Sequence, residues 1–212
     1  ANHTLEYIHE VLKNCPKDWI QLTTHRLDIY TEEEAKIQFL DQFENLFNSK
    51  NATTAALSKL PTAYDYIRLG HPLSCVLEWG IAKLYNIKPE QVISFSSKIV
   101  PILAILRKNA LENKNTKIVY TDELPKSFTT QIIKEVYGYQ FETQKIDSLA
   151  SLSKYNGTTV FVTQQEDIPT IDFNPTIDFY ISNISDLGSI LVINGKEKST
   201  RDHKYHINVG TK

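Results

Sequence analysis

Between residues 64 and 98 the chain concentrates side chains suited to holding an anion. Tyr66 and Arg68 form a Tyr-x-Arg pair able to donate hydrogen bonds to a phosphate. Gly70-His71-Pro72 reads as a turn that opens a helix carrying Leu77-Glu78. Ile93-Ser94-Phe95 reads as a strand ending in Ser96-Ser97, where the next helix starts. The unpaired N–H groups of a helix start favour negative charge, and serine hydroxyls add donors. Lys98 supplies a cation at the same place. The plainer alternative for these residues is a surface arginine and a serine that caps a helix.

In order and spacing, Tyr64 to Ser97 resembles the cystathionine gamma-synthase-like family of fold-type-I pyridoxal-phosphate enzymes. The resemblance covers about residues 60–195. It implies that Tyr66 and Arg68 reach across a homodimer interface to the partner's phosphate, while Ser96 and Ser97 present hydroxyls and N–H groups. The chain also departs from the pattern. Lys98 replaces the glycine that lets the backbone approach the phosphate. The aromatic-bearing loop after the strand at 117–121 is replaced by Asp122-Glu123-Leu124-Pro125-Lys126-Ser127-Phe128, leaving Tyr120 or Phe128 as ring-stacking candidates. Asp122 and Glu123 would repel a phosphate. Asp172 and Asp178 are weak substitutes for the ring-nitrogen aspartate. In Ile181-Ser182-Asn183-Ile184-Ser185-Asp186, Asp186 stands where the Schiff-base lysine is expected, and aspartate forms no imine. Lys196 and Lys198 follow an Asn194-Gly195 turn signal and read as exposed charges.

Bulk composition limits the alternatives. The chain has 212 residues, 41% hydrophobic and 23% charged, with 23 basic against 25 acidic side chains. A net charge of -2 does not provide the basic field of a nucleic-acid binder. No apolar run approaches the ~20 residues of a membrane span, and no signal peptide is visible, so a cytoplasmic protein is expected. Cys15 and Cys75 cannot build a disulfide framework, and Cys75 reads as a small core residue. His203 and His206 have metal-compatible spacing but no matching carboxylate or thiol, so no metal site is expected.

The elements that must position these groups follow from periodicity. Residues 4–14 read as a short helix. Residues 31–48 read as a longer one, with a Thr31/Glu34 capping box and a stripe of Phe39, Leu40, Phe43, Leu46 and Phe47. Helices are expected at 73–86, 98–112 and 127–137, the last closed by Gly138, with a short helix capped by Asp147. Strands are expected at 91–96, 117–121, 139–145, 158–163, 178–182 and 189–193. This alternation predicts an α/β fold, a mainly parallel sheet covered by helices on both faces, like the large domain of aminotransferase-like proteins. A single domain is expected: a helical N-terminal extension over 1–55 and an α/β body over 60–212, without the family's C-terminal small domain.

The leading functional expectation is a degenerate, non-catalytic relative of these enzymes retained for binding or assembly. Such a chain holds no covalent cofactor and binds pyridoxal phosphate or another phosphorylated small ligand through Tyr66, Arg68, Ser96, Ser97 and Lys98. The alternatives are an active enzyme of sulfur amino-acid metabolism with displaced catalytic residues, and an unrelated α/β domain binding a phosphorylated metabolite at Ser96-Ser97-Lys98.

Overall fold

The computed structural model describes residues 2–20, 33–62, 71–165 and 171–195. Contacts divide the chain into two compact units, residues 1–92 and residues 93–211.

The first unit is helical. Helix α1 (Asn2–Lys13) buries Tyr7 and Val11. A π-helical turn (Glu33–Gln38) runs directly into α2 (Phe39–Asn48), so the single helix expected over 31–48 begins as a wider coil. The result is a broad inward arc: Lys36, Ile37, Phe39, Leu40 and Phe43 are all buried. Thr31 of the expected capping box lies outside the described residues. A short turn of helix, α3 (Thr54–Leu57), is capped by Thr53. Helix α4 (Pro72–Tyr85) has proline at its start and His71 as N-cap, whose ring nitrogen accepts from the Leu73 N–H at 3.2 Å. His71 in the Gly-x-Pro turn therefore serves the helix end. Asn86 takes the left-handed conformation that stops α4.

Aromatic packing holds this unit together. The Phe39 and Phe43 rings stack at 5.7 Å, and Phe43 meets Trp79 edge-on at 5.1 Å. Trp79 donates its indole N–H to Glu44 at 2.6 Å, and Lys83 holds the other Glu44 oxygen. Lys36 and Glu78 form a buried ion pair at 2.9 Å, and the Lys36 ammonium also donates to the Val92 carbonyl. Helix α4, expected in the α/β body, thus packs with α1 and α2. Cys75 is a core residue of α4, and the two cysteines are not bridged.

The second unit is built on a six-stranded sheet: β1 (Val92–Phe95), β2 (Thr116–Tyr120), β3 (Phe141–Lys145), β4 (Thr158–Gln165), β5 (Phe179–Ile184) and β6 (Gly188–Ile193). Their spatial order is β1-β6-β5-β4-β2-β3. The β2/β3, β2/β4 and β4/β5 pairs are parallel; β5 and β6 form an antiparallel hairpin. The mainly parallel α/β architecture is therefore as the alternation predicts. Helices α5 (Val100–Leu111) and α6 (Thr130–Tyr137) cover one face, where Ile102, Ile105 and Ile133 meet Ile118, Val160, Ile181 and Leu191. On the other face the segment at 171–177 packs on β5: Phe173 lies edge-on to Tyr180, whose hydroxyl donates to the Asp172 carbonyl and accepts from the Asn174 N–H. The helix expected after Asp147 is one 3₁₀ turn, Leu149–Ser151, capped by Ser148 rather than Asp147. The Ser127 start expected for α6 shifts to Thr130, because Pro125 and Phe128 close a turn first.

Two polar clusters fix α5. Buried Asn109 donates to Thr116 at 2.8 Å and accepts from Thr158 at 3.3 Å, tying the helix to the starts of β2 and β4. At its end, Glu112 bridges Lys108 and Lys114 at 2.8 and 2.7 Å.

Two predictions follow from these contacts. Phe43→Ala should cost about 3–5 kcal/mol, as for a buried aromatic truncated to alanine. Both tryptophans of the chain, Trp19 and Trp79, lie in this aromatic core, so urea unfolding followed by tryptophan fluorescence reads the loss directly; an unchanged midpoint would show that the cluster does not stabilise the unit. The second concerns pH. Partial burial alone would raise the Glu112 carboxyl, but hydrogen bonds and charge from Lys108 and Lys114 outweigh it and hold the group down at about 2. A depressed carboxylate stabilises the fold above its unfolded value and loses that contribution as pH falls toward 2. Between about pH 5 and 2, Glu112→Gln should therefore flatten the acid-side decline in stability, by at most about 3 kcal/mol before solvent screening is taken into account. Equal declines in both proteins would refute the bridge.

Candidate functional site

The carboxyl ends of parallel strands are where open α/β sheets hold ligands. Here that edge collects the end of β1, the loop after β2, the end of β4 and the β5–β6 turn. Its geometry is set by Gly188. A Cβ there would sit 2.1 Å from the Phe95 carbonyl oxygen, and Gly188 has φ +119. The start of β6 therefore lies against the end of β1, so these two neighbours run in opposite senses and β1 runs with β5.

Ser96, Ser97 and Lys98 form the β1–α5 turn. Ser96 is exposed, and the other two are half-buried. The Ser97 hydroxyl accepts from the Ile99 and Val100 N–H groups, each at 3.3 Å, and the Ser97 carbonyl accepts from the Ser189 hydroxyl at 2.7 Å. Pro101 brings no N–H. The helix start is thus partly closed by its own serine, with the Ser96 hydroxyl and the Lys98 side chain at the rim.

Asn183 lies directly beside this turn, although the sequence reading treats it only as part of a loop. It is paired in register with Ser189 on β6 and Gln164 on β4, so the three side chains share one sheet face. Ser189 reaches the β1–α5 turn; Gln164 donates to the Glu123 carbonyl at 3.1 Å, in the loop after β2. Asn183 stands between them, fully buried, and among the described residues neither its Oδ1 nor its Nδ2 has a hydrogen-bond partner. A buried carboxamide without partners costs about 1–3 kcal/mol per group. The available sequence signal was polar Ser182-Asn183 interrupting an otherwise apolar strand.

The remaining candidates separate. Tyr66 and Arg68 lie outside the described residues, as do Lys196, Lys198, His203 and His206. Phe128 is a core residue against Phe141 at 5.7 Å, not a free stacking surface. Tyr120 packs partly buried against the same core. Asp178 accepts from the Thr159 N–H at 2.9 Å, at the amino ends of β4 and β5. Glu78 of the Leu-Glu pair faces Lys36 inside the helical unit. Asp186 sits at the tip of the β5–β6 turn, exposed, with φ +61. Among the described residues, no group of three or more His, Cys, Asp or Glu side chains could hold a metal ion, and no helix is long and apolar enough to cross a membrane.

No family model matches the chain, and no curated protein matches it. Among solved structures it is similar to MetB from Corynebacterium glutamicum, with 14% identity and a TM-score of 0.43. The match covers 72% of this chain and 50% of that one, so the chain spans half the length of the structure it matches.

Gly188→Ala tests the close approach that builds this edge. Positive φ and a backbone overlap should together destabilise the protein by at least about 2 kcal/mol. Chemical denaturation measures it, and a loss under 0.5 kcal/mol, the usual range for surface changes, would mean that the hairpin does not seat on β1.

Proposed function

We propose that the chain is a non-catalytic relative of the fold-type-I pyridoxal-phosphate enzymes and binds a phosphate-bearing small ligand without a covalent bond. The lineage rests on the spacing from Tyr64 to Ser97. The observation that carries the binding is Asn183, a buried carboxamide without partners beside Ser97 and Ser189. Ser96, Ser97, Lys98 and Asn183 offer hydroxyl, ammonium and amide donors suited to phosphate oxygens. By the resemblance, Tyr66 and Arg68 would add a hydroxyl and a guanidinium to the set.

Pyridoxal phosphate as a covalent cofactor does not fit the same edge. By the resemblance, Asp186 at the tip of the β5–β6 turn stands where an imine-forming amine is expected, and the loop after β2 adds Asp122 and Glu123. No chemical step is therefore assigned to this chain.

Purified protein incubated with pyridoxal phosphate and reduced with borohydride should show no pyridoxyl adduct by mass spectrometry. An adduct on any lysine would restore the active-enzyme reading and name the residue. Binding is tested separately by the thermal shift that inorganic phosphate or pyridoxal phosphate produces, which mass action requires of any ligand specific for the folded state. Asn183→Leu removes an unpaired buried amide, so the free protein should be as stable or more stable, while the ligand-induced shift should vanish. An unaltered shift in this variant would exclude Asn183 from the site.

A further inference from the structure

Strand β3 ends the sheet on the side opposite β1. Among the described residues nothing pairs with its outer edge, and residues 142–145 are exposed. The Ile146 N–H donates inward to the Tyr120 carbonyl at 2.9 Å. Backbone groups alternate along a strand, so Glu142 and Gln144 also face β2. Phe141, Thr143 and Lys145 then turn their N–H and C=O groups outward. Their side chains share the sheet face that carries α6, since Phe141 and Ile133 lie in one core cluster. Helix α6 buries only Ile133, while Ile132, Val136 and Tyr137 are 52%, 71% and 54% exposed. Tyr137 stacks on Tyr139 at 5.7 Å, which leaves Ile132 and Val136, one turn apart, as an unused apolar face of the kind that marks an interaction surface.

We propose that a second copy of this chain occupies this surface, pairing its β3 antiparallel to this one about a two-fold axis at Thr143. A two-fold contact must be self-complementary, and Phe141–Lys145 satisfies that demand. Thr143 meets Thr143 of the partner subunit, Phe141 meets Lys145 of the partner subunit, and Glu142 meets Gln144 of the partner subunit. No like charges stand opposite each other, and threonine pairs are favourable cross-strand neighbours. The outward-facing residues fall on the doubly hydrogen-bonded pairs of an antiparallel ladder, because 141, 143 and 145 share one parity. A short strand pair alone falls below the roughly 1,000 Å² of a specific interface; the apolar side chains of α6 and its counterpart, on the same face, supply the rest. The contact lies at the opposite edge of the sheet from Ser96–Lys98, so it is independent of the ligand reading.

Sedimentation velocity of the full chain between about 1 and 100 µM, a range spanning micromolar affinity, should show a concentration-dependent dimer. Thr143→Pro removes only an outward N–H, and an edge strand tolerates proline. This variant should be folded by circular dichroism and monomeric throughout. Val136→Glu should weaken association at least tenfold. A wild-type monomer across the range overturns the proposal, as does a dimer that survives both substitutions, which would lie on another surface. Should Thr143→Pro not fold, hydrogen exchange of the wild type decides: the Thr143 and Lys145 amides must slow as concentration rises, and exchange that ignores concentration refutes the pairing.

Discussion

The approach of Gly188 to the Phe95 carbonyl governs the α/β unit. Any side chain at 188 would collide with the backbone of β1, so the hairpin can seat there only because that position carries none. Seating the hairpin places Ser189 under the β1–α5 turn, and the turn then sets where α5 enters. The far end of α5 is fixed independently, through Asn109 to Thr116 and Thr158. Held at both ends, the helix covers Ile118, Val160, Ile181 and Leu191, and the polar row of Ser189, Asn183 and Gln164 is left at the carboxyl edge.

Much of this architecture was legible because its signals were local. Gly138 marks the end of α6, and the structure gives it φ +69. The apolar periods of residues 98–112 and 158–163 mark a helix and a strand that lie within three residues of those bounds. What was not legible depends on distant contacts. The coil at 33–38 is wider than an α-helix where Lys36 turns inward to Glu78, a residue 42 positions on and invisible to periodicity. Likewise α4 reads as the first helix of the α/β body until its packing against α1 and α2 assigns it to the helical unit.

The site was legible in outline and obscure in detail. Ser97 was identified at a strand–helix turn, and it is there. Whether its hydroxyl points to an outside anion or back to its own helix is a choice of rotamer that spacing does not encode, and it caps the helix. Phe128 illustrates the converse problem. An aromatic in a loop suggests a stacking surface, but the Pro125–Phe128 turn folds it into the core. Neighbouring strands, not neighbouring residues, make Asn183 significant, so local sequence does not mark it as a site.

The Lys36–Glu78 pair restricts how this chain can vary. Both charges are almost wholly withdrawn from water. Removing Glu78 leaves the Lys36 ammonium buried without its counter-ion, a loss of about 3–5 kcal/mol, comparable with the entire stability of a small domain. An apolar pair of similar volume can be equally stable, yet a route to it that gives up Glu78 first passes through that deficit. A descendant of this sequence that keeps Lys36 buried should therefore keep Glu78 as well, so the helical unit can drift in its surface far more freely than at this pair.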